Sequence, residues 1–260
     1  MATKKNVIQV EGGAKSASSQ RVFTPTAEAK AAAKQNRLLA IILWVVAIVA
    51  EIIAMVILFK KDPETALTTG KRVLLIIFLV IDLLLLLAGS SFWKKANRLD
   101  PPSKASPLFG IQSQFGVIMA VVCFLPVVIL AFIKKEYLVG AIATAMMIGG
   151  GAASADYHPA SQEQYAAQTS EVEALTGQNV VFWTKSGTKY HLYDDCRYIN
   201  TSKTIDIFSG TVAQARELKN ITELCSACKD RVMKEKGISP EQLQEATDAA
   251  KRAIEGTKTE

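Results

Sequence analysis

The chain is poor in the residues from which active sites are usually built. It has two histidines and four cysteines in 260 residues, and no Ser/His/Asp or Cys/His nucleophile constellation is readable from their placement, so an enzyme is not expected. The first 37 residues are polar and contain no apolar segment, so no secretory signal is expected there. The formal charge of +6 is not spread in a way that suits nucleic acid. Up to Ala153 there are 17 basic and 8 acidic residues, a balance of +9; from Ser154 onward there are 13 and 16, a balance of −3. The basic surplus therefore travels with the apolar half and the segment before it, where anionic lipid headgroups attract it.

What the chain does have is long apolar runs. Leu38 to Phe59 is broken only by Glu51, and at 1.5 Å per residue it is roughly 33 Å long, enough to cross a bilayer core. Val73 to Phe92 is interrupted by Asp82 and followed by Trp93-Lys94-Lys95, aromatic then basic as at a membrane interface. Phe115 to Ile133 is a third span, with Pro126 tolerable where neighbouring helices satisfy the freed carbonyl. The fourth, Tyr137 to Ala155, is short and rich in glycine and alanine. Its residues Ala141, Ala145, Gly149 and Ala153 recur every fourth position, which predicts a small face buried in the bundle.

Basic residues near the span ends number eleven on the side of the amino terminus and six on the other. That asymmetry predicts a cytoplasmic amino terminus, and four crossings return the carboxyl terminus to the same side; if the short fourth span does not cross, the module lies outside instead. Glu51 lies nine residues before Lys60 and Asp82 ten residues after Arg72, so an antiparallel pair of helices places them at similar depth. Acids inside a membrane are functional candidates, because an unpaired carboxylate there is costly. Two readings stand beside each other: an ion or proton site, and neutral acids acting as polar glue between helices, with glue favoured because no basic residue lies inside the spans. Cys123, in the third span, reads as an ordinary small apolar residue.

The second half changes character. Residues 156–179 hold acidic residues, Gln, Ser and Ala but no Lys or Arg, which predicts a spacer with some helix between Ser161 and Leu175. His158, beside Pro159, reads as a turn residue. From Val180 the sequence predicts a hairpin, Val-Val-Phe-Trp-Thr then a Lys-Ser-Gly-Thr turn then Lys-Tyr-His-Leu-Tyr, delivering His191. Cys196 follows, then a short strand over Thr204 to Phe208 and a helix over Thr211 to Lys219. Cys225-Ser226-Ala227-Cys228 forms a knuckle at the start of a helix ending at Lys236. One imidazole and three thiolates in two short-spaced pairs can supply the four corners of a tetrahedral zinc site. A module of this size, residues 180–236, gains from such a staple because its own core is marginal. Ser239-Pro240-Glu241-Gln242 then starts a final helix, expected to be solvated or to dock a partner.

These residues resemble the small metal-binding domain of the Ada DNA-repair protein and the related tails of bacterial membrane proteins and nucleases. The matching positions are Ser186, Gly187, Tyr190, His191, Cys196, Ala213, Ala215, Cys225 and Cys228. The likeness covers about a fifth of the chain. It implies a hairpin carrying the first ligand pair, a short strand, a helix and a closing knuckle around zinc. In the Ada domain the first ligand is the methyl-accepting thiolate; here that position is His191, so repair chemistry is not implied.

The whole then reads as a multi-pass α-helical membrane protein of four transmembrane helices with a small C-terminal α+β zinc-binding module. Its parts are a basic arm (1–37), a transmembrane domain (38–155), an acidic linker (156–179), the module (180–236) and a terminal helix (237–260). The expected role is non-enzymatic binding or interaction, with the lipid bilayer and a protein as partners. Lys229, Arg231, Lys234 and Lys236 are the candidate contact surface for an acidic partner or lipid headgroups, beside the favoured reading of an ordinary solvated helix face. The competing role is membrane transport, or metal and redox sensing, through Glu51 and Asp82.

Overall fold

A computed structural model describes residues 6–9, 25, 27–60, 67–219 and 221–256. Lys4, Lys5, Lys15 and Arg21 of the basic arm, and Lys61, lie outside the described residues. The chain divides into two compact units. One is helical, over Ala31–Pro102 and Ser106–Pro159; the other comprises the described parts of Met1–Lys30, Ser103–Ala105 and Ala160–Glu260.

The helical unit contains α1 (Ala27–Phe59), α2 (Thr69–Leu99), the short α3 (Phe109–Ser113), α4 (Phe115–Ile133) and α5 (Tyr137–Ser154). Four of them, α1, α2, α4 and α5, are long and apolar enough to cross a membrane. Their outward faces carry large aliphatic side chains: Ile41, Val45, Val49, Ile52 and Val56 on α1 are all exposed, as are Ile77, Val80 and Leu84 on α2. Leaving such a side chain in water costs about 1.5–3 kcal/mol. The exposed faces are therefore suited to lipid.

Inward, α1 presents alanine every seventh residue, at Ala33, Ala40, Ala47 and Ala54, each fully or almost fully buried. Small side chains at that repeat let a neighbouring backbone approach closely. Trp44 sits among them with its ring centroid 5.5 Å from those of Trp93 and Phe115. Gly89 makes room for it: a Cβ there would stand 2.5 Å from Trp44 Nε1.

Polar contacts tie the helix ends in an alternating pattern. At one end Arg37 before the α1 span pairs with Asp100 after α2 at 2.9 Å, and the Gln114 side chain at the start of α4 exchanges hydrogen bonds with the backbone of Asp156, just past α5. At the other end the buried Glu136 carboxylate, between α4 and α5, accepts from Arg72 and from the Leu67 backbone N–H before α2. Such an up-down-up-down arrangement has α5 traverse the unit like the other three. Its burial differs from expectation, however. Ala141, Ala145, Gly149 and Ala153 are exposed, and the buried face is Val139, Gly140, Ala143, Gly150, Gly151 and Ser154. A four-residue repeat of small residues identifies a face but not its neighbour, and here the second small face took the contacts, with Gly150 against Leu83 and Leu86 of α2.

The second unit is α+β. It contains β1 (Asn6–Gln9), α6 (Gln162–Thr176), β2 (Val181–Trp183), β3 (Lys189–Tyr190), β4 (Asp206–Gly210), α7 (Val212–Lys219), β5 (Glu223–Leu224), α8 (Ser226–Lys236) and α9 (Pro240–Gly256). Three strands form a sheet in the order β1-β4-β2, with β4 parallel to β1 and antiparallel to β2. β3 and β5 form a separate parallel pair. Two expectations are corrected here. The stretch 156–179 is not a bare spacer: α6, capped by Ser161 Oγ on the Gln164 N–H and closed by Gly177 at φ 80°, buries Tyr165, Val172 and Leu175. Its composition is polar overall, but those three side chains share one helical face and dock on the module. The terminal helix is likewise joined to the fold, since Leu243 is buried in the same core cluster. Its capping box forms, with Gln242 N–H donating to Ser239 Oγ and Ser239 N–H to Gln242 Oε1.

The amino-terminal arm also contributes more than charge. Val7 pairs with Ile207 and Ile8 with Phe208, so a strand that precedes α1 is hydrogen-bonded to one that follows α5.

Candidate metal centre

The site is assembled by strand pairing. Tyr190 stands opposite Leu224 in the parallel β3–β5 pair, so the next residue of each strand, His191 and Cys225, emerges side by side. The Cys225 N–H donates to Tyr190 O at 2.9 Å and locks that register. The hairpin expected to deliver His191 is reduced to a single antiparallel bridge, in which Phe182 and His191 exchange two 2.7 Å hydrogen bonds. β2 finds its longer partner in β4 instead. A tight turn follows, Cys196 N–H reaching Tyr193 O at 3.4 Å, and folds Cys196 back toward the imidazole. Cys225 is the N-cap of α8 and Cys228 lies in its first turn, so the knuckle spacing places both sulfurs at one helix end.

The four donor atoms of His191, Cys196, Cys225 and Cys228 lie within 4.8 Å of one another, and all four residues are buried. His191 Nδ1 is 3.3 Å from Cys196 Sγ and 3.7 Å from Cys228 Sγ. None of the cysteines is in a disulfide. This cluster can hold a metal ion. Burial pulls the His191 pKa down to about 4, so the imidazole is neutral near pH 7 with a lone pair to offer. Burial pushes the Cys228 thiol up. Bare, Cys228 therefore favours the thiol, and a bound cation is what would hold it as thiolate.

The ligands are backed by a packed shell. Trp183, Tyr190, Ile199, Ile207, Val212 and Ile221 belong to the same buried cluster as the three cysteines. Arg216 is buried against Tyr165, its guanidinium carbon 3.8 Å from the ring centroid, and burial draws its pKa down to about 10 without discharging it at neutral pH. On one side the site borders an open cleft of about 420 Å³ lined by Thr184, Ser186, Thr188, Tyr198, His191 and Cys225 among others.

The basic cluster beyond the knuckle is less free than its sequence suggests. Lys229 pairs with Glu171 at 2.6 Å. Arg231 stacks on Tyr193 and pairs with both Asp195 and Glu235. Exposed apolar and aromatic side chains stand elsewhere: Tyr198 and Ile205 are 59% and 81% exposed. His158 is exposed in a bend, as expected of a turn residue.

A second cluster lies in the helical unit. Glu51 of α1 and Asp82 of α2 come together, and Cys123 of α4 joins them, with one donor atom from each within 4.8 Å of the others. Cys123 was not legible as a partner, because its apolar surroundings in sequence suit a small filler, and only the packing of α4 against α2 brings its sulfur to the acids. No protein-family model, curated protein or solved structure matches this chain.

Proposed function

We propose that this is an integral membrane protein that displays an Ada-like, zinc-stapled module as a non-enzymatic interaction surface. The observation that carries the reading is the buried set of one imidazole and three thiols whose donor atoms converge within 4.8 Å. A tetrahedral ion with Zn–N near 2.0 Å and Zn–S near 2.3 Å sets nitrogen and sulfur about 3.5 Å apart. The two distances from His191 Nδ1, 3.3 and 3.7 Å, fall on either side of that value. Four protein donors fill the coordination sphere and leave no position for a substrate or an activated water, so the metal is structural.

Both termini lie on one side of the membrane. The β1–β4 pairing supports this independently of charge, since a strand before the first span and one after the last share a sheet only if the crossings are even in number. The distribution of basic residues makes that side the cytoplasm, where thiols stay reduced. A protein partner is best accommodated at the cleft beside the metal, with Tyr198 as its aromatic anchor, because Lys229 and Arg231 already have acidic partners. Aromatic anchors next to a concavity are the usual carriers of binding energy.

The test uses the full chain in detergent. Purified protein is expected to carry zinc that is lost in Cys225→Ser, and a methyl donor is expected to leave Cys196, Cys225 and Cys228 unmodified by mass spectrometry. Stoichiometric methylation of any of the three would show a ligand acting as nucleophile and overturn the structural reading.

A further inference from the structure

The apolar runs of the helical unit contain no counter-charge for its two acids. Glu51 and Asp82 are 3% and 1% exposed, and the apolar runs 38–59, 73–92 and 115–133 contain no Lys, Arg or His. The glue reading requires hydrogen bonds, and the acids are short of them: Glu51 has one from the Val127 backbone. Both oxygens of Asp82 and Oε1 of Glu51 are buried without a hydrogen-bond partner. A buried polar atom left unpaired is costly, more so if charged, and one oxygen of each acid lies within 4.8 Å of the other and of the Cys123 sulfur, so the cluster is suited to an occupant. The third member of the group, Cys123, is fully buried and offers sulfur.

We propose that Glu51, Asp82 and Cys123 form a second metal site, for a divalent transition cation of the zinc, iron(II) or cobalt(II) class, held between α1, α2 and α4 inside the bilayer. The charge argument sets the valence: sulfur binds as thiolate, so with one of the two carboxyls ionised and the other protonated a divalent cation brings the site to zero net charge, the state that a low-dielectric interior tolerates best. The donor chemistry sets the class, because sulfur disfavours magnesium and calcium, which take oxygen ligands. The position suits the task. Each donor comes from a different helix, so no local rearrangement of one element can withdraw more than one ligand. Pro126 adds a resource, since its missing N–H frees the carbonyl of Val122 beside Cys123. The site lies in the unit opposite in character to the zinc module and does not depend on it.

The experiment counts cobalt(II) on the full chain in nanodiscs after desalting, in wild type, Asp82→Asn, Glu51→Gln, Cys123→Ser and Cys225→Ser. Wild type is expected to hold two equivalents and Asp82→Asn one, the equivalent retained on the tail showing that the amide variant is folded. Cys123→Ser keeps both carboxylates and is expected to weaken cobalt at this site by more than the roughly 10–100-fold that outer-shell changes cost, and millimolar magnesium should not compete. One equivalent in wild type that survives in Asp82→Asn and vanishes in Cys225→Ser overturns the intramembrane site and leaves the tail site standing, with a proton shared by the acids as the remaining account. One equivalent that vanishes in Asp82→Asn and survives in Cys225→Ser does the reverse.

Discussion

The two buried clusters share only cysteine as a donor type and are brought together in opposite ways. In the second unit His191, Cys196, Cys225 and Cys228 come from two short stretches, and a strand pair and a helix start suffice to converge them. In the helical unit Glu51, Asp82 and Cys123 come from three separate helices and meet only when the bundle is packed. The difference teaches which partner of the fold depends on which. The helices are long enough to be satisfied by their own backbone hydrogen bonds and by lipid, so the bundle makes its cluster. The α+β unit has strands only two to five residues long, so a metal bound at its cluster is expected to add to the stability of the fold.

The largest effect that would break this contrast is acid acting on the cluster that is proposed to hold zinc. With no ion bound, burial holds the His191 pKa at about 4, below its ordinary value near 6.5. A lowered folded value means that folding favours the neutral form, so the stability it contributes is present above about pH 6.5 and is lost as pH falls toward 4. Thiolate protonation acts in the same direction. Acidifying the full chain from pH 7 to pH 4 is expected to release zinc and abolish hydrogen-exchange protection in residues 180–236, while α1, α2 and α4 keep theirs. Equal loss of protection in both units would show that they fold as one and that the metal does not set the boundary.

A smaller effect sharpens where the second unit begins. Leu175 is fully buried in its core, although it lies in a stretch whose composition reads as a spacer. Leu175→Ala is expected to cost about 2–5 kcal/mol, as for other large-to-small core changes. Chemical denaturation followed through Trp183, with the zinc-loaded protein as reference, measures it. A cost below about 0.5 kcal/mol, typical of surface sites, would restore the spacer.

Much of this was legible in the sequence, for physical reasons that also set the limit. Four apolar runs declare themselves because a bilayer demands length and composition, and His191, Cys196, Cys225 and Cys228 declare themselves because ligand spacing is local. What was not legible depends on tertiary choice. Whether Ala141 or Ala143 faces inward on α5, whether α6 docks through Val172 and Leu175, and whether Cys123 reaches Asp82 are decided by which faces meet, and small or amphipathic faces leave several solutions open. The arm was opaque for a related reason. Asn6 to Gln9 is four residues in a polar context, too short to signal a strand until β4 offers an edge.

That last strand carries the smallest energetic effect and the sharpest topological one. Val7 and Ile8 are exposed at 44% and 41%, so β1 adds hydrogen bonds on the sheet edge but little burial, and Ile8→Pro is expected to cost about 1 kcal/mol or less. Its geometric consequence is stricter. Ile8 stands beside Phe208 in the register, so Ile8→Cys with Phe208→Cys is expected to form an oxidant-dependent cross-link in sealed vesicles, detected by a shift in gel mobility. The bond can form only if a segment before the first crossing and one after the last share a compartment, which requires α5 to cross. Failure of the pair to link in vesicles, with efficient linking after detergent is added, would place the two ends on opposite faces of the membrane; the crossings would then be odd in number, and the α+β unit would lack its third strand in the membrane.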